Sequence, residues 1–391
     1  MADVTTDADR KVSRRKVLLG AGAALAAQPM AQLTAAAAAF DWTPVAPAQA
    51  GFAPDIEARL DQLISDKRAW GLHGVVVARA RRLVLERYFD GSDNARGRPL
   101  GHVAFGADTL HDLRSVTKGI VGLLYGIALA AGKVPTPEAP LFSAFPEYSE
   151  LAATAGRDRL TIHHVLTMTM GTDWDETSLP YSDPRNSEIA MDRAPDRYRF
   201  VLERPVVAAP GRHWHYNGGA TALLGRIIAK GTGKPLADFA REALFDPIGI
   251  GPTEWFNGND GEPIAASGLR MTPRDLARIG QLMLDGGTWG GRGILPAAWL
   301  DRCVTPIVSV DETRRYGYQW YVGDFAFGAQ LGWRLSRLER WWGGFGEGGQ
   351  RLFVVPDLTL VVAITAGNYL MPDQWVPSTR VMREVVLASL K

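Results

Sequence analysis

Apolar residues in DIEARLDQLISDKRA, residues 55–69, fall at Ile56, Leu60, Leu63 and Ile64. That spacing predicts a helix with one buried stripe. The period then changes. LHGVVVARA (72–80) and RLVLERYF (82–89) are rich in β-branched and aromatic residues and predict two strands, with Arg81 at the tight turn between them. GSDNARGRP (91–99) has no apolar pattern and predicts a polar loop. The middle of the chain reads as helices and loops. TIHHVLTM (161–168), TALLGRIIAKG (221–231), PLADFAREAL (235–244) and TPRDLARIGQLMLDGG (272–287) keep helical periodicity, with proline and glycine gathered between them. Strands return in RYGYQWYV (315–322), QRLFVVP (350–356) and LTLVVAITAG (358–367), with a turn at PDL (356–358). WVPSTRVMREVVLASL (375–390) closes the chain as a helix.

Strands at the two ends must pair with one another to form one sheet, antiparallel where tight turns join neighbours. The expected architecture is α/β in the broad, α+β sense. An antiparallel sheet from about 50–132 and 315–391 is flanked by helices from both chain ends, and a mostly helical lobe, about 133–314, is inserted. No internal repeat is visible.

The first 39 residues follow another pattern. SRRKVLLGAGAALAA (13–27) sets Arg14 and Arg15 before a short apolar run, which Gln28, Pro29 and Gln32 interrupt. LTAAAAAF (33–40) offers small-residue cleavage sites. The run is too short to span a membrane. The pattern looks like a twin-arginine export signal, so the expected mature chain starts near Phe40 and works outside the cytoplasm, in the periplasm. A basic tail with a low-complexity linker is the alternative.

Composition narrows the choice. Of 391 residues, 46% are hydrophobic and 22% charged, and the formal net charge is +1. That is an ordinary globular balance with no electrostatic case for nucleic acid. Cys303 is the one cysteine, so neither an internal disulfide nor a cysteine-based zinc site can form.

The chemistry centres on LRSVTKG, residues 113–119, at the start of an apolar helical run. Three residues turn a helix about 300°, so Ser115 and Lys118 lie roughly 60° apart on one face. An amine beside a hydroxyl is one way to activate a serine. The S-x-x-K spacing alone is weak, since Ser13 and Lys16 share it. No G-x-S-x-G elbow or Walker A loop competes. Gly344, Gly346 and Gly349 form a G-x-G-x-x-G, but a strand follows it where a dinucleotide site needs a helix. His163 with His164, and His213 with His215, lack metal-ligand spacing and read as loop and packing residues. No metal or cofactor is expected. Twelve tryptophans are many, and most read as core. Trp174, Trp214 and Trp342, with Tyr181, are expected to wall an aromatic cleft.

In order along the chain, four segments resemble the serine β-lactamase and penicillin-binding-protein superfamily, in its class C-like esterase and 6-aminohexanoate-dimer hydrolase branch. TLHDLRSVTKGIVGLLYGIA (109–128) resembles the S-x-x-K helix, and LTIHHVLTMTMGTDWDE (160–176) the segment after it. PGRHWHYNGGATALLGRIIAKGTG (210–233) resembles the Y-x-N motif, and EGGQRLFVVPDLTLVVAI (347–364) the final strand motif, K-T-G or H-x-G. The resemblance implies a sheet lobe plus a helical lobe. It also implies Ser115 as acylated nucleophile, Lys118 and Tyr216 as base pair, and the backbone N–H groups of Ser115 and Gln350 as oxyanion donors. Gly348 and Gly349 would let substrate approach the strand edge. No cofactor is required. The implied partner is a small-molecule ester or amide.

Two positions depart from the pattern. Gly218 stands where the family has asparagine, with Asn217 one residue early, and Glu347 stands where it has lysine or histidine. A glutamate there repels a substrate carboxylate. The reading is therefore an exported serine hydrolase for a small ester or amide. The alternatives are a D-alanyl-D-alanine carboxypeptidase or β-lactamase, and an inactive binding protein of the same fold. Oligomeric state stays open.

Overall fold

The computed structural model describes residues 40–327 and 337–391. The export-signal pattern of residues 1–39 lies outside them. One nine-stranded sheet organises the chain. Its strands are β1 (Asp41–Pro44), β2 (Leu72–Arg79), β3 (Arg82–Tyr88), β4 (Val308–Ser309), β5 (Arg314–Tyr316), β6 (Tyr321–Phe327), β7 (Arg337–Gly346), β8 (Gln350–Val355) and β9 (Leu360–Ala366). They lie in the order β1-β3-β2-β9-β8-β7-β6-β5-β4. Every pair is antiparallel except β1 with β3.

The centre of the sheet joins the two ends of the chain, because β9 pairs with β2 along its length, from Leu360 opposite Arg79 to Ala366 opposite Leu72. The β2–β3 turn places Ala80 and Arg81 in left-handed backbone, at φ 48° and 62°. That twist suits a two-residue hairpin. Both faces of the central strands are covered, which explains their unbroken apolar sequences. Val75, Val77, Phe353, Val362 and Ile364 face one core with Ile56, Leu60, Val381 and Val385 from the terminal helices. Val76, Leu352, Val354, Val361 and Ala363 face the other, with the helices Val116–Ala130 and Pro273–Leu284. Gly280 allows the second helix to sit close, since a Cβ there would stand 2.6 Å from Val361.

Four expectations change. Residues 91–99 form part of a hairpin, Gly91–Ala95 with Arg98–Val103. Most of its residues lie on the outside of a two-stranded ribbon, with Asp93 and Ala95 turned inward, so no apolar alternation marks it. RYGYQWYV divides, because Gly317 to Trp320 form a tight turn between β5 and β6. The strand β7 was absent from the pattern: Gly343, Gly344 and Gly346 within it, and Gly348 and Gly349 just after it, dilute the strand signal. The closing helix is helical from Val376 but changes to a wider π turn at Val381–Val386.

Candidate active site

The short strand His111–Asp112 pairs with Leu269–Met271, and the Leu113 N–H donates to the Leu269 carbonyl at 3.0 Å. Arg114 then takes left-handed backbone, φ 49°, and Ser115 caps the helix Val116–Ala130. The helix is buried on nearly every side, and its glycines let neighbours approach. A Cβ on Gly119 would meet the Trp320 ring at 2.7 Å. Lys118 is therefore carried into the interior, 2% exposed. Its Nζ donates to Ser115 Oγ at 3.0 Å and to the Ala266 carbonyl at 3.1 Å. It also stands 4.9 Å from the centre of the Tyr216 ring. The Ala266 contact follows from strand pairing, since Ala266 shortly precedes the strand beside His111–Asp112.

Tyr216 precedes the helix Gly218–Thr232. Burial and then the nearby Glu176 carboxyl drive its pKa well above the usual phenol range, while its interaction with the Ser115 hydroxyl works the other way. The phenol form is favoured.

Glu176 is a further site residue that no spacing in the sequence marks; the signal that could find it is the acid in WDE, two residues after Trp174. Its Oε2 accepts from Trp174 Nε1 at 2.8 Å and from the Gly218 N–H at 2.6 Å. Its Oε1 accepts from the Tyr181 hydroxyl at 3.2 Å and stands 3.9 Å from Lys118 Nζ. Burial, then Glu188, push it up to about 8, against the pull of Lys118. Burial also opposes ionisation of Glu188, but Lys118 and the hydrogen bond with Glu176 outweigh it and hold Glu188 low. The two carboxyls act as one pair sharing a proton.

This pair explains Gly218. A Cβ there would lie 3.0 and 3.3 Å from the Glu176 oxygens and 3.3 Å from Glu188 Cδ. The space that the family gives to an asparagine side chain is filled here by a carboxyl reaching in from another loop. Asn217 does not compensate. It is buried as the helix N-cap, accepting from the Ala220 N–H at 3.0 Å.

Ser115 opens onto a cavity of about 440 Å³ whose lining includes Arg96, Arg114, Tyr181, Glu188, Asp192 and Glu347. Arg96 bridges Ser267 and Asp192, and Ser267 Oγ donates to Glu188 at 2.8 Å. Arg114 donates to Asn94 at 2.7 Å, pairs with Asp112 at 3.0 Å, and reaches Glu347 at 3.8 Å. Burial raises the Glu347 pKa, with Arg114 opposing. The cavity is thus polar and charged.

Of the expected aromatic wall, Tyr181 lines the cavity and the tryptophans do not. Trp174 is core, 3% exposed, and serves Glu176. Trp214 packs on Tyr216, Tyr316 and Tyr321, and Trp342 packs against the larger core. Indole rings have more apolar area to bury than this charged cavity offers.

The glycines Gly348 and Gly349 take φ of 88° and 100° in the β7–β8 turn, and both are buried away from the cavity. Gln350 pairs with Gly346, and its side chain is tied to Ala366 on β9. The strand beside the serine is β7. A Cβ on Gly344 would stand 2.9 Å from Val116, and one on Gly346 would stand 2.3 Å from the Leu113 carbonyl. Pairing with β6 ends at Gly343, so among the described residues the last part of β7 has one edge without a strand partner. His163 contacts Tyr318 and His164 contacts Thr161, as packing residues.

Comparison with known proteins adds a family match. The Beta-lactamase family model matches residues 60–374. Esterase EstB of Burkholderia gladioli is 30% identical over 220 residues, 55% of this chain and 54% of the relative. The 6-aminohexanoate-dimer hydrolase of Paenarthrobacter ureafaciens is 25% identical over 260 residues, 63% of this chain and 59% of the relative. The chain thus spans little more than half the length of these curated relatives. Among solved structures, an octameric penicillin-binding protein homologue from Pyrococcus abyssi has a TM-score of 0.60 at 16% identity. That match covers 84% of this chain and 77% of the other, and it shows the fold alone.

Proposed function

The chain belongs to the beta-lactamase family, and from that premise we propose that it is an exported serine hydrolase acting on a small ester or amide through a Ser115 acyl-enzyme. One observation carries the reading. Lys118 Nζ, 3.0 Å from Ser115 Oγ, lies over the Tyr216 ring at the edge of a cavity large enough for a small substrate.

A serine hydroxyl becomes a competent nucleophile when a base takes its proton. Lys118 Nζ, fixed on the Ala266 carbonyl, faces Ser115 Oγ and is placed to receive its proton. The shared proton on Glu176 and Glu188 leaves one negative charge beside the amine where two ionised carboxyls would leave two. Ser115 Oγ attacks the carbonyl carbon as its proton passes to Lys118. Tyr216, held as a phenol, hands a proton to the leaving oxygen or nitrogen and recovers one through Lys118. Water then attacks the acyl carbon, with the same groups taking its proton, and releases the acid.

The tetrahedral oxyanion needs fixed donors. The Ser115 N–H stands at the start of a fifteen-residue helix, where the dipole favours negative charge. The second donor this geometry favours is the Phe345 amide on the uncovered edge of β7. Gln350 lies one strand further from the serine. Glu347 disfavours a substrate carboxylate at its end of the cavity, which separates this reading from a carboxypeptidase or β-lactamase. The paired arginines at Arg14 and Arg15 support export.

The test is intact mass after mixing with a short p-nitrophenyl ester, wild type beside Ser115→Ala. A burst of p-nitrophenol with one acyl adduct, absent from the variant, is the expected result. Identical behaviour with no adduct on either protein would favour the inactive binding protein. A penicillin adduct on Ser115 would restore the β-lactamase alternative.

A further inference from the structure

A second buried polar cluster lies on the far side of Arg114 and plays no part in the hydrolytic steps. His73 is the second residue of β2, Asp93 belongs to the Gly91–Ala95 strand, and His111 lies four residues before Ser115. Their exposures are 2%, 6% and 0%. His73 Nδ1 is 2.8 Å from His111 Nε2, and His111 Nε2 is 3.7 Å from Asp93 Oδ1. All three donor atoms fall within 4.8 Å of one another.

The hydrogen bonds fix what each atom can offer. His111 Nδ1 is 3.0 Å from the Asp112 carbonyl, which only accepts, so the ring proton sits on Nδ1. Its Nε2 is then a lone pair, which in the metal-free chain accepts from His73 Nδ1 at 2.8 Å, and a metal would take it once the His73 proton moves to Nε2. An imidazole held this way by a backbone carbonyl is the usual posture of a metal ligand. Asp93 Oδ1 accepts from the Tyr369 hydroxyl at 3.1 Å, but the buried Oδ2 has no partner. A buried carboxylate oxygen left bare is costly unless a cation stands near it.

We propose that His73, Asp93 and His111 bind one divalent transition-metal ion, with zinc as its best representative. Two nitrogens and one carboxylate oxygen suit zinc, and the absence of thiolates disfavours softer ions. Zinc holds nitrogen at about 2.0–2.1 Å, and tetrahedral ligands then stand about 3.3 Å apart. The two imidazoles open by roughly half an ångström to admit it. His73 borders a surface cavity of about 550 Å³, which supplies a route in. Phe105 stacks on the His73 ring at 4.1 Å and keeps the other side dry. The ion fastens the outer hairpin to the central sheet and steadies the strand that leads into Arg114 and Ser115. It supplies no group to the reaction.

The experiment uses the full chain, stripped with a chelator, desalted, and titrated with Zn²⁺ and then Co²⁺. One zinc per chain retained by elemental analysis, a visible cobalt d–d band, and a thermal midpoint raised by about 3 °C or more are expected. Asp93→Asn, nearly the same shape, and His73→Gln should each weaken zinc at least tenfold. Ser115 acylation should persist in both. Zinc held equally by wild type and both variants places the ion elsewhere and overturns the proposal. Absence of retained zinc and of a cobalt band in folded wild type also overturns it, leaving a plain His73–His111 hydrogen bond.

Discussion

Glu176 and Asp93 are both buried carboxyl groups within a short reach of the Ser115 helix, and their surroundings differ. Glu176 is filled. Trp174, Tyr181 and Gly218 donate to it, and Lys118 stands near. It shares a proton with Glu188, so the low-dielectric interior holds little unbalanced charge. Asp93 takes one hydroxyl and leaves an oxygen bare. The difference teaches how to read buried acids. A carboxyl with all its contacts made is finished structure or tuned chemistry, whereas one with an open oxygen points to a missing positive partner.

Truncation is the harshest test of that contrast. Glu176→Ala strands three donors and removes the acid partner of Glu188. We expect a loss of about 3–5 kcal/mol, read as a fall in the chemical-denaturation midpoint. Asp93→Ala in metal-free protein strands only the Tyr369 hydroxyl and should cost about 1–2 kcal/mol. Equal losses would erase the distinction.

A smaller effect comes from the other side of the acid pair. Gly218→Asn pushes a side chain into the Glu176 and Glu188 carboxyls. Overpacking of this kind costs about 1–3 kcal/mol, and the displaced Glu176 should slow acylation. If Gly218→Asn is neutral in both stability and burst rate, the acids do not occupy that space in solution.

The gentlest probe is pH. The Glu176 pKa is raised to about 8 from an ordinary 4.5, so between those values the folded chain holds a proton that the unfolded chain has lost. Stability from Glu176 is full below pH 4.5 and declines as pH rises through 8, by at most about 1.4 kcal/mol per unit. Glu188 runs the other way. Its folded value is depressed, so its contribution is present above pH 4.5 and fades in more acidic solution. Melting curves from pH 5 to 9 should slope downward in wild type and flatten in Glu176→Gln. Parallel curves would mean that Glu176 is ionised throughout.

Much of the fold was legible because local pattern and tertiary burial agree there. Both faces of β2, β8 and β9 are covered, so their sequences are nearly all apolar. The Ser115 helix begins where its apolar run begins. The glycine-rich β7 stayed hidden, because its residues were chosen for close approach to Leu113 and Val116 and carry little strand character. Ser115, Lys118 and Tyr216 could be found from motif order. Glu176 could not, since its importance depends on a loop folding over Gly218. His73, Asp93 and His111 are separated by 20 and 18 residues, and no local spacing marks them as a group. The tryptophans misled for a plain reason: their place in loop-like sequence said nothing about which way the rings turn.

The pairing of β9 with β2 also sets the order of events when the chain is made. The serine, lysine and tyrosine all leave the ribosome before the strands that complete the central sheet. Until β9 arrives, β2 has no neighbour on its inner edge, and β8 and β7 have nothing to anchor them beside Leu113 and Val116. Such distant pairing is slow to form and intolerant of premature stops. Ser115 is therefore present in the nascent chain well before its cavity is built, and the last strand of the sheet to be synthesised is the one that completes the surroundings.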